Sequence, residues 1–182
     1  MNYGSVKYCD IANGEGVRTS LFVSGCRHRC RGCFQPETWD FSYGKPFTPE
    51  VAAEILHSLE APHVDGLTVL GGEPFEPENQ EAVAGLLDQV RERFPNKTVW
   101  IYTGDIYERL VDESYARRTP ATDRILAATD ILVDGPFVED LKDISLRFRG
   151  SSNQRIIDLA ATRAAGDVRL WTDEPSYAVR GL

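Results

Sequence analysis

Three cysteines lie close together in residues 24–34, which read SGCRHRCRGCF. Cys26, Cys30 and Cys33 fall within eight residues, a density of thiols typical of a metal site or a redox site. The odd number is informative, because three ligands leave a four-coordinate metal or a four-iron cluster one ligand short. Four potentially cationic side chains are interspersed with them: Arg27, His28, Arg29 and Arg31.

Three kinds of site are compatible with this stretch. Residues 30–33 form a C-x-x-C pair like that of thioredoxin-like proteins, although such a redox motif does not need Cys26. Zinc accepts a Cys₃His set completed by His28, but structural zinc sites usually use two separated ligand pairs. A 4Fe-4S cluster with three thiolates would either take a fourth ligand from elsewhere, such as Cys9, or keep one iron open, as catalytic metal sites do for substrate. Neighbouring cations could tune such an anionic cluster, or could form a solvated basic loop.

A second motif follows the apolar run LTVL. Gly71, Gly72 and Glu73 come directly after it, and two glycines there let the backbone approach a ligand closely or form a tight turn. Thr103 and Asp134 follow later apolar runs, where they are candidates for cofactor contacts or, equally, a helix cap and a turn aspartate. Open α/β sheets and barrels bind ligands at the carboxyl ends of their strands. We therefore expect these residues to lie together at the mouth of one binding site, at that end of the sheet.

The elements that position these residues alternate between strands and helices. Short apolar runs predict buried strands of a parallel sheet at residues 17–23, 67–70, 98–102 and 131–133. Helical patterns predict helices at residues 49–59, 77–94, 105–116 and 122–128. The alternation indicates right-handed βαβ units, and four such strands are too few for a closed eight-stranded barrel. We therefore predict an α/β fold, a partial (open) βα barrel of parallel strands with flanking helices.

Both ends of the chain carry weaker patterns. Residues 5–11 predict a strand that leads through a glycine-rich turn into the first parallel strand. Residues 154–159 and 168–171 predict short strands, the first at the end of the sheet. We expect a single domain over residues 1–182, in which residues 156–182 are a C-terminal extension of unassigned role, either poorly ordered or added at an edge.

The composition is that of an ordinary globular protein, with 182 residues, 42% hydrophobic and 26% charged. No apolar run approaches the ~20 residues of a membrane span, and no apolar signal core is visible, so we expect no membrane and a cytoplasmic location. The net charge of −8 disfavours nucleic-acid binding. In a reducing cytosol, clustered cysteines indicate metal or catalysis. We expect Cys9, which stands apart, to be a buried free thiol beside a strand.

The order C-x-x-x-C-x-x-C followed by an aromatic residue, Phe34, resembles the signature of the radical S-adenosylmethionine enzymes. The GGEP stretch resembles the GGE motif of that family, which contacts the amino group of the cofactor. The resemblance implies that Cys26, Cys30 and Cys33 hold a 4Fe-4S cluster whose fourth iron binds S-adenosylmethionine. No catalytic side chain is implied beyond the cluster and the cofactor. The implied cofactor contacts, the last two by position, are Gly32, Cys33, Phe34, Gly71, Gly72, Glu73, Thr103 and Asp134.

Longer stretches of sequence indicate which members of that enzyme family this chain resembles. Four stretches within residues 10–155 are similar to the activating proteins of anaerobic (class III) ribonucleoside-triphosphate reductases. They are DIANGEGVRTSLFVSGC, CFQPETW, KPFT and LVDGPFVEDLKDISLRFRGSSNQR. The resemblance implies that a reduced cluster cleaves S-adenosylmethionine to a 5′-deoxyadenosyl radical, which takes a hydrogen from a glycine of the reductase. The implied partners are that reductase and an electron donor such as a flavodoxin. One departure is Pro136, where relatives often carry a basic residue, so a lysine contact with the cofactor is not available there.

Two other functions remain compatible with the sequence. One is a small radical S-adenosylmethionine enzyme acting on another glycyl-radical enzyme or on a small molecule. The other is a non-catalytic zinc or iron–sulfur binding module. A small, open barrel favours a macromolecular substrate, since a partner can insert a glycine loop at the open side. Residues 149–154 are the predicted lip of that opening, or else a polar surface loop.

Overall fold

One sheet of seven strands organises the computed structural model, which describes residues 1–172. The strands are β1 Asn2–Asp10, β2 Arg18–Val23, β3 Lys45–Pro46, β4 Gly66–Gly71, β5 Thr98–Tyr102, β6 Ile131–Asp134 and β7 Arg155–Asp158. Their order is β3-β1-β2-β4-β5-β6-β7. Strands β2, β4, β5 and β6 run parallel, while β1, β3 and β7 pair antiparallel with their neighbours. The sheet is open, because β3 and β7 form separate edges.

The four predicted parallel strands are confirmed, each within one residue of its predicted bounds at either end. Their register decides where the two motifs meet. Arg18 pairs with Gly66 and Val23 pairs with Gly71, so β2 and β4 end side by side. The cysteine stretch leaves β2 and the glycine turn leaves β4 at the same edge of the sheet.

The described residues form five α-helices: α1 Pro49–Ser58, α2 Pro77–Arg93, α3 Tyr107–Val111, α4 Pro120–Ala128 and α5 Leu159–Ala165. Three of them begin with proline, which fits the first helical turn because its missing N–H has no partner there anyway. The predicted helix over residues 105–116 is wrong in its extent, since only α3 forms. The Asp112 carboxylate accepts the Ser114 N–H at 2.9 Å, a local turn that competes with helix continuation.

Among residues 1–172, helices pack against one face of the sheet and not against the other. Along β5, Val99 and Ile101 belong to the large core that also contains the apolar side chains of the helices. Trp100 instead lies in a smaller cluster on the opposite face, against which Tyr102 and Phe148 pack. The alternation of side chains along each strand therefore leaves the second face to irregular segments and to the site described below.

The two ends of the chain complete the sheet. The predicted N-terminal strand is confirmed as β1, but Cys9 is exposed, so its prediction as a buried thiol is wrong. Cys9 has φ of 52°, at a shift in the register between β1 and β2, and an extra residue at such a bulge redirects side chains.

The predicted strand over residues 154–159 forms β7. The predicted strand over residues 168–171 is wrong, because Leu170 makes only an isolated bridge with Ile157. The predicted C-terminal extension thus contributes part of β7 and α5, and its residues 173–182 lie outside the described part of the chain. None of the helices in residues 1–172 combines the length and apolar character that crossing a bilayer would need.

Candidate functional site

A cavity of about 580 Å³ lies on the helix-free face of the sheet and reaches the carboxyl ends of β4 and β5. The structure brings all predicted site residues except Gly32 and Asp134 into its walls. Residues of the predicted lip, including Arg149 and Gln154, also line it. The predicted residues in the walls are Cys26, Cys30, Cys33, Phe34, Gly71, Gly72, Glu73 and Thr103.

The cysteine stretch and the glycine turn meet through direct backbone contacts. The Gly72 N–H donates to the Val23 carbonyl at 2.7 Å, and the Glu73 N–H donates to the Gly25 carbonyl at 2.8 Å. A Cβ on Gly72 would lie 2.6 Å from the Gly25 oxygen, and Gly71 has φ of 108°. Both glycines are therefore required by the packing of two chain segments. Their predicted approach to a cofactor stays a prediction.

The three clustered thiols differ in burial. The pKa values of Cys26 and Cys30 are raised, which favours the protonated form of each. Burial, reinforced by the charge of Glu73, raises the pKa of Cys26 to about 12. Burial also raises the pKa of Cys30 above its ordinary value. Because metal is bound by thiolates, metal binding here must release protons. Backbone N–H groups of His28 and Arg29 face the Cys26 sulfur and favour its charged form.

The arrangement of ligand atoms disfavours a single zinc ion. Zinc–sulfur bonds of about 2.3 Å place tetrahedral ligand atoms about 3.8 Å apart. Within residues 1–172, the one group of three possible ligand atoms mutually within 4.8 Å is that of His28, Glu73 and Asp105, which contains no cysteine. Three thiols spread around a cavity suit a larger metal group such as an iron–sulfur cluster.

His28 points to the glycine turn and is not grouped with the cysteines. Its Nε2 lies 3.0 Å from Oε2 of Glu73, whose side chain is fully buried. Oε1 of Glu73 accepts the Thr103 hydroxyl and the Phe75 N–H, both at 2.9 Å, and Oε2 also accepts the Gly104 N–H at 2.8 Å. One carboxylate thus joins the cysteine loop, the turn after β4 and the end of β5.

Further charges surround this histidine. Burial acts to lower the pKa of His28, but the hydrogen bond and charge of Glu73, helped by Asp105, outweigh it and raise the pKa. Arg117 Nη1 lies 3.1 Å from His28 Nε2 and 3.4 Å from Oδ2 of Asp105, and Tyr115 donates its hydroxyl to Oδ1 of Asp105 at 2.5 Å. Sequence reasoning missed Arg117 and Tyr115, because they lie in an irregular segment without a motif.

Arg27 ties the cysteine loop to the start of α2. Its Nη1 lies 2.6 Å from Oε2 of the buried Glu76 and 2.9 Å from Oε2 of Glu78. The guanidinium also lies 4.4 Å above the Phe41 ring. The hydrogen bond from Arg27 lowers the pKa of Glu78 to about 2. Arg27 is therefore an anchor of the loop, and its predicted tuning of a cluster potential stays a prediction.

Arg31 ties the same loop to the segment after β6. Its Nε lies 2.6 Å from Oε2 of Glu139, and its Nη2 lies 2.6 Å from Oδ1 of Asp140. The Phe34 and Phe137 rings add a contact with centroids 5.2 Å apart. These contacts hold residues 136–150 against the cysteine loop at the mouth of the cavity.

Two predicted cofactor contacts lie outside the cavity walls. Asp134 is buried; its Oδ1 accepts from Nε of Arg155 at 2.9 Å and its Oδ2 accepts the Tyr107 N–H at 2.8 Å. Gly32 is exposed, has φ of 73° and lies next to Glu139. Direct contact of either residue with a cofactor stays a prediction.

Known proteins are similar in sequence to this protein over most of its length. Residues 12–157 match the model of the 4Fe-4S single cluster domain family. The anaerobic ribonucleoside-triphosphate reductase-activating protein of Pasteurella multocida is 40% identical over 158 residues, which cover 86% of this chain and 96% of that relative. This chain belongs to the family of anaerobic ribonucleoside-triphosphate reductase-activating proteins. Its relative of the same name in Escherichia coli K12 is 41% identical over 156 residues (85% and 96% covered), and that of Enterobacteria phage T4 is 36% identical over 156 residues (86% and 93% covered).

Membership of this activating-protein family confirms the resemblance found in the sequence. The region that matches the 4Fe-4S domain contains every residue of the cavity wall except Lys7. The cysteine cluster, the glycine turn and the segment after β6 are thus all part of the region that carries the family's iron–sulfur domain.

Proposed function

We propose that this protein activates an anaerobic ribonucleoside-triphosphate reductase by generating a glycyl radical on it, through reductive cleavage of S-adenosylmethionine at a 4Fe-4S cluster. The observation that carries the proposal is one cavity whose wall combines three thiols with the Gly71–Gly72–Glu73 turn. Relatives that bear the activating-protein name and align over nearly their whole length support the same target.

The residues present fit an iron–sulfur cluster. We assign Cys26, Cys30 and Cys33 as its three ligands, because they line the cavity without forming the compact set of a single ion. When bound and reduced, the cluster would supply the electron that cleaves S-adenosylmethionine. The chain itself contributes N–H groups to the sulfurs: those of His28 and Arg29 at Cys26, and that of Phe137 at Cys30. Such donors stabilise thiolate charge and tune the metal group.

The neighbouring elements would bind the cofactor and admit the partner. Gly72 and Glu73 follow β4, and Thr103 follows the adjacent parallel strand β5, beside the cysteines and at the strand ends where open α/β sheets bind ligands. We also propose that the sheet has the curvature of a partial radical S-adenosylmethionine barrel. An open edge and a face without helices among residues 1–172 would then leave room for the glycine-bearing segment of a large partner. A flavodoxin-like protein is our proposed electron donor, and the clustered thiols suit a reducing, cytoplasmic location.

Mixing the reconstituted protein with its reductase tests the proposal. The protein is purified and reconstituted anaerobically, reduced, and incubated with S-adenosylmethionine and the reductase. We expect a glycyl radical on the reductase by electron paramagnetic resonance, lost in Cys30→Ala and kept in the matched control Cys9→Ala, because Cys9 lies outside the cavity.

The other outcomes separate the competing functions. Cleavage of S-adenosylmethionine without a radical on the reductase would favour an enzyme with a different substrate. A colourless protein with stoichiometric zinc and no iron would favour a non-catalytic binding module and refute the proposal.

A further inference from the structure

Residues 136–150 form an arm at the mouth of the cavity. A bridge between Lys142 and Ser151 closes the base of this arm. On the inner side of the arm, Leu146 and Phe148 line the cavity. The arm is therefore a wall of the site and also a border of its opening.

Contacts on both sides hold the arm in place. Arg31 of the cysteine loop holds the outer part through its ion pairs with Glu139 and Asp140. The inner part packs on the sheet through Phe148, whose ring centroid lies 5.3 Å from that of Trp100. These contacts fix the arm relative to the cavity, so its outward side chains have defined positions.

The arm and the residue on which it packs expose apolar side chains to solvent. Ile144 is 93% exposed and Leu141 is 44% exposed. Phe34 contacts the arm and lines the cavity, yet it is 65% exposed. Oδ1 of Asp143 accepts both the N–H and the hydroxyl of Ser145, a local turn that holds Ile144 at the tip of the arm. Exposed apolar side chains grouped at the border of a site are typical of a binding surface.

We propose that this apolar border, formed by Phe34, Leu141 and Ile144, is the surface on which the reductase docks. The inference rests on the proposed function and adds the contact surface for its partner. The proposed reaction requires a glycine Cα of the reductase to reach the cofactor inside the cavity, so the surface around that glycine must cover the border of the opening. Apolar side chains at the border would leave water on docking, which favours the complex.

The position of the border favours the reductase over a second copy of this chain. The arm lines the cavity and its exposed side chains continue that wall outward, so a molecule seated on them covers the opening. A second copy seated there would exclude the substrate from the cavity. The reductase brings the substrate with it, and docking and access to the site are then one event.

Ile144→Ser tests the inference with Ile11→Ser as its matched control. Both changes remove the same exposed aliphatic side chain, but Ile11, which is 74% exposed, lies between β1 and β2, at the opposite ends of the parallel strands. Neither change should shift the urea midpoint of unfolding, since substitutions at exposed sites rarely alter stability. The first measurement is the dissociation constant of the complex between the reconstituted protein and the purified reductase, without S-adenosylmethionine. We expect a rise of about tenfold for Ile144→Ser, the effect of one aliphatic side chain lost from an interface, and of less than about twofold for Ile11→Ser.

Kinetics of radical formation give the second measurement. For Ile144→Ser, the half-saturating concentration of the reductase should rise by a similar factor of about tenfold. That of S-adenosylmethionine should rise less than about twofold, because Ile144 lies outside the cavity wall. Unchanged binding of the reductase by Ile144→Ser, or equal losses of affinity for Ile11→Ser and Ile144→Ser, would overturn the inference. Weaker self-association of Ile144→Ser in sedimentation, with unchanged binding of the reductase, would assign the border to a second copy and overturn it as well.

The two measurements separate this inference from the proposed function. A wild-type protein that binds the reductase but forms no radical on it would refute the proposed function, while weaker binding by Ile144→Ser would still support the docking surface. A wild-type protein that forms the radical, beside an Ile144→Ser variant with unchanged binding, would refute the inference alone. A wild-type protein that neither binds the reductase nor forms the radical would refute both.

Discussion

Glu73→Gln should destabilise the protein far more than the same change at an exposed site. The Glu73 carboxylate is fully buried and receives contacts at both oxygens. Oε1 accepts the Phe75 N–H and the Thr103 hydroxyl, and Oε2 accepts the Gly104 N–H and lies 3.0 Å from His28. Losing part of this set would loosen the tie between the cysteine loop and two strand ends.

The magnitude follows from counting acceptors. Glutamine keeps one oxygen and replaces the other with an NH₂ group, so in either orientation two of the four contacts lose their acceptor. A hydrogen bond to a charged group contributes about 1.5–3 kcal/mol, which makes the expected loss about 3–6 kcal/mol. That is a large share of the 5–15 kcal/mol by which domains are ordinarily stable.

The measurement is urea unfolding of the cluster-free protein under reducing conditions, with Glu78→Gln as the control. Glu78 is half exposed and paired with Arg27 on the surface, so its change should lower the free energy of unfolding by less than about 1 kcal/mol. Equal losses at Glu73 and Glu78 would refute the argument that the buried carboxylate holds the site together. A variant too unstable to fold would agree with the expectation, provided that Glu78→Gln folds normally.

Three further changes test other parts of the structure. Cys30→Ala should lose bound iron and visible absorbance after reconstitution, while Cys9→Ala should keep both; equal iron contents would contradict the ligand assignment. The Arg27–Glu78 pair should stabilise the protein above pH 4.5, and this contribution should disappear as the pH falls toward 2, because the folded-state pKa of Glu78 is lowered to about 2. Arg27→Met should remove that part of the pH dependence, which is measured as the urea midpoint of unfolding across this pH range. An unchanged pH dependence in the variant would contradict the stabilising role of the Arg27–Glu78 pair. Arg18→Met should cost at least about 3 kcal/mol in urea unfolding, since the buried guanidinium donates to three backbone carbonyls and two threonine hydroxyls; a loss below about 1 kcal/mol would contradict this.

Predictions from local pattern were right where neighbours in sequence decide the structure. The parallel strands, the proline-started helices and the β7 edge strand follow from apolar runs and caps that lie within a few residues. The helix over residues 105–116 was predicted too long, because the Asp112–Ser114 turn ends it early. Cys9 was predicted to be buried, and a shift in strand register exposes it. Both errors arise from backbone geometry that apolar spacing does not report.

The sequence by itself determined which reactive groups are present and roughly where they lie. It contains three thiols at a spacing that suits an iron–sulfur cluster, a glycine turn, and strands that bring both to one edge of a sheet. Only the tertiary structure decided how the other groups are used. It assigns His28 to Glu73 and to Arg117, 89 positions away, and makes Arg27 and Arg31 anchors of the loop. It also leaves the hydroxyl of Tyr102 buried and without a hydrogen-bond partner among residues 1–172. Spacing along the chain reports only which side chains share a face, whereas these pairings depend on how distant segments pack together.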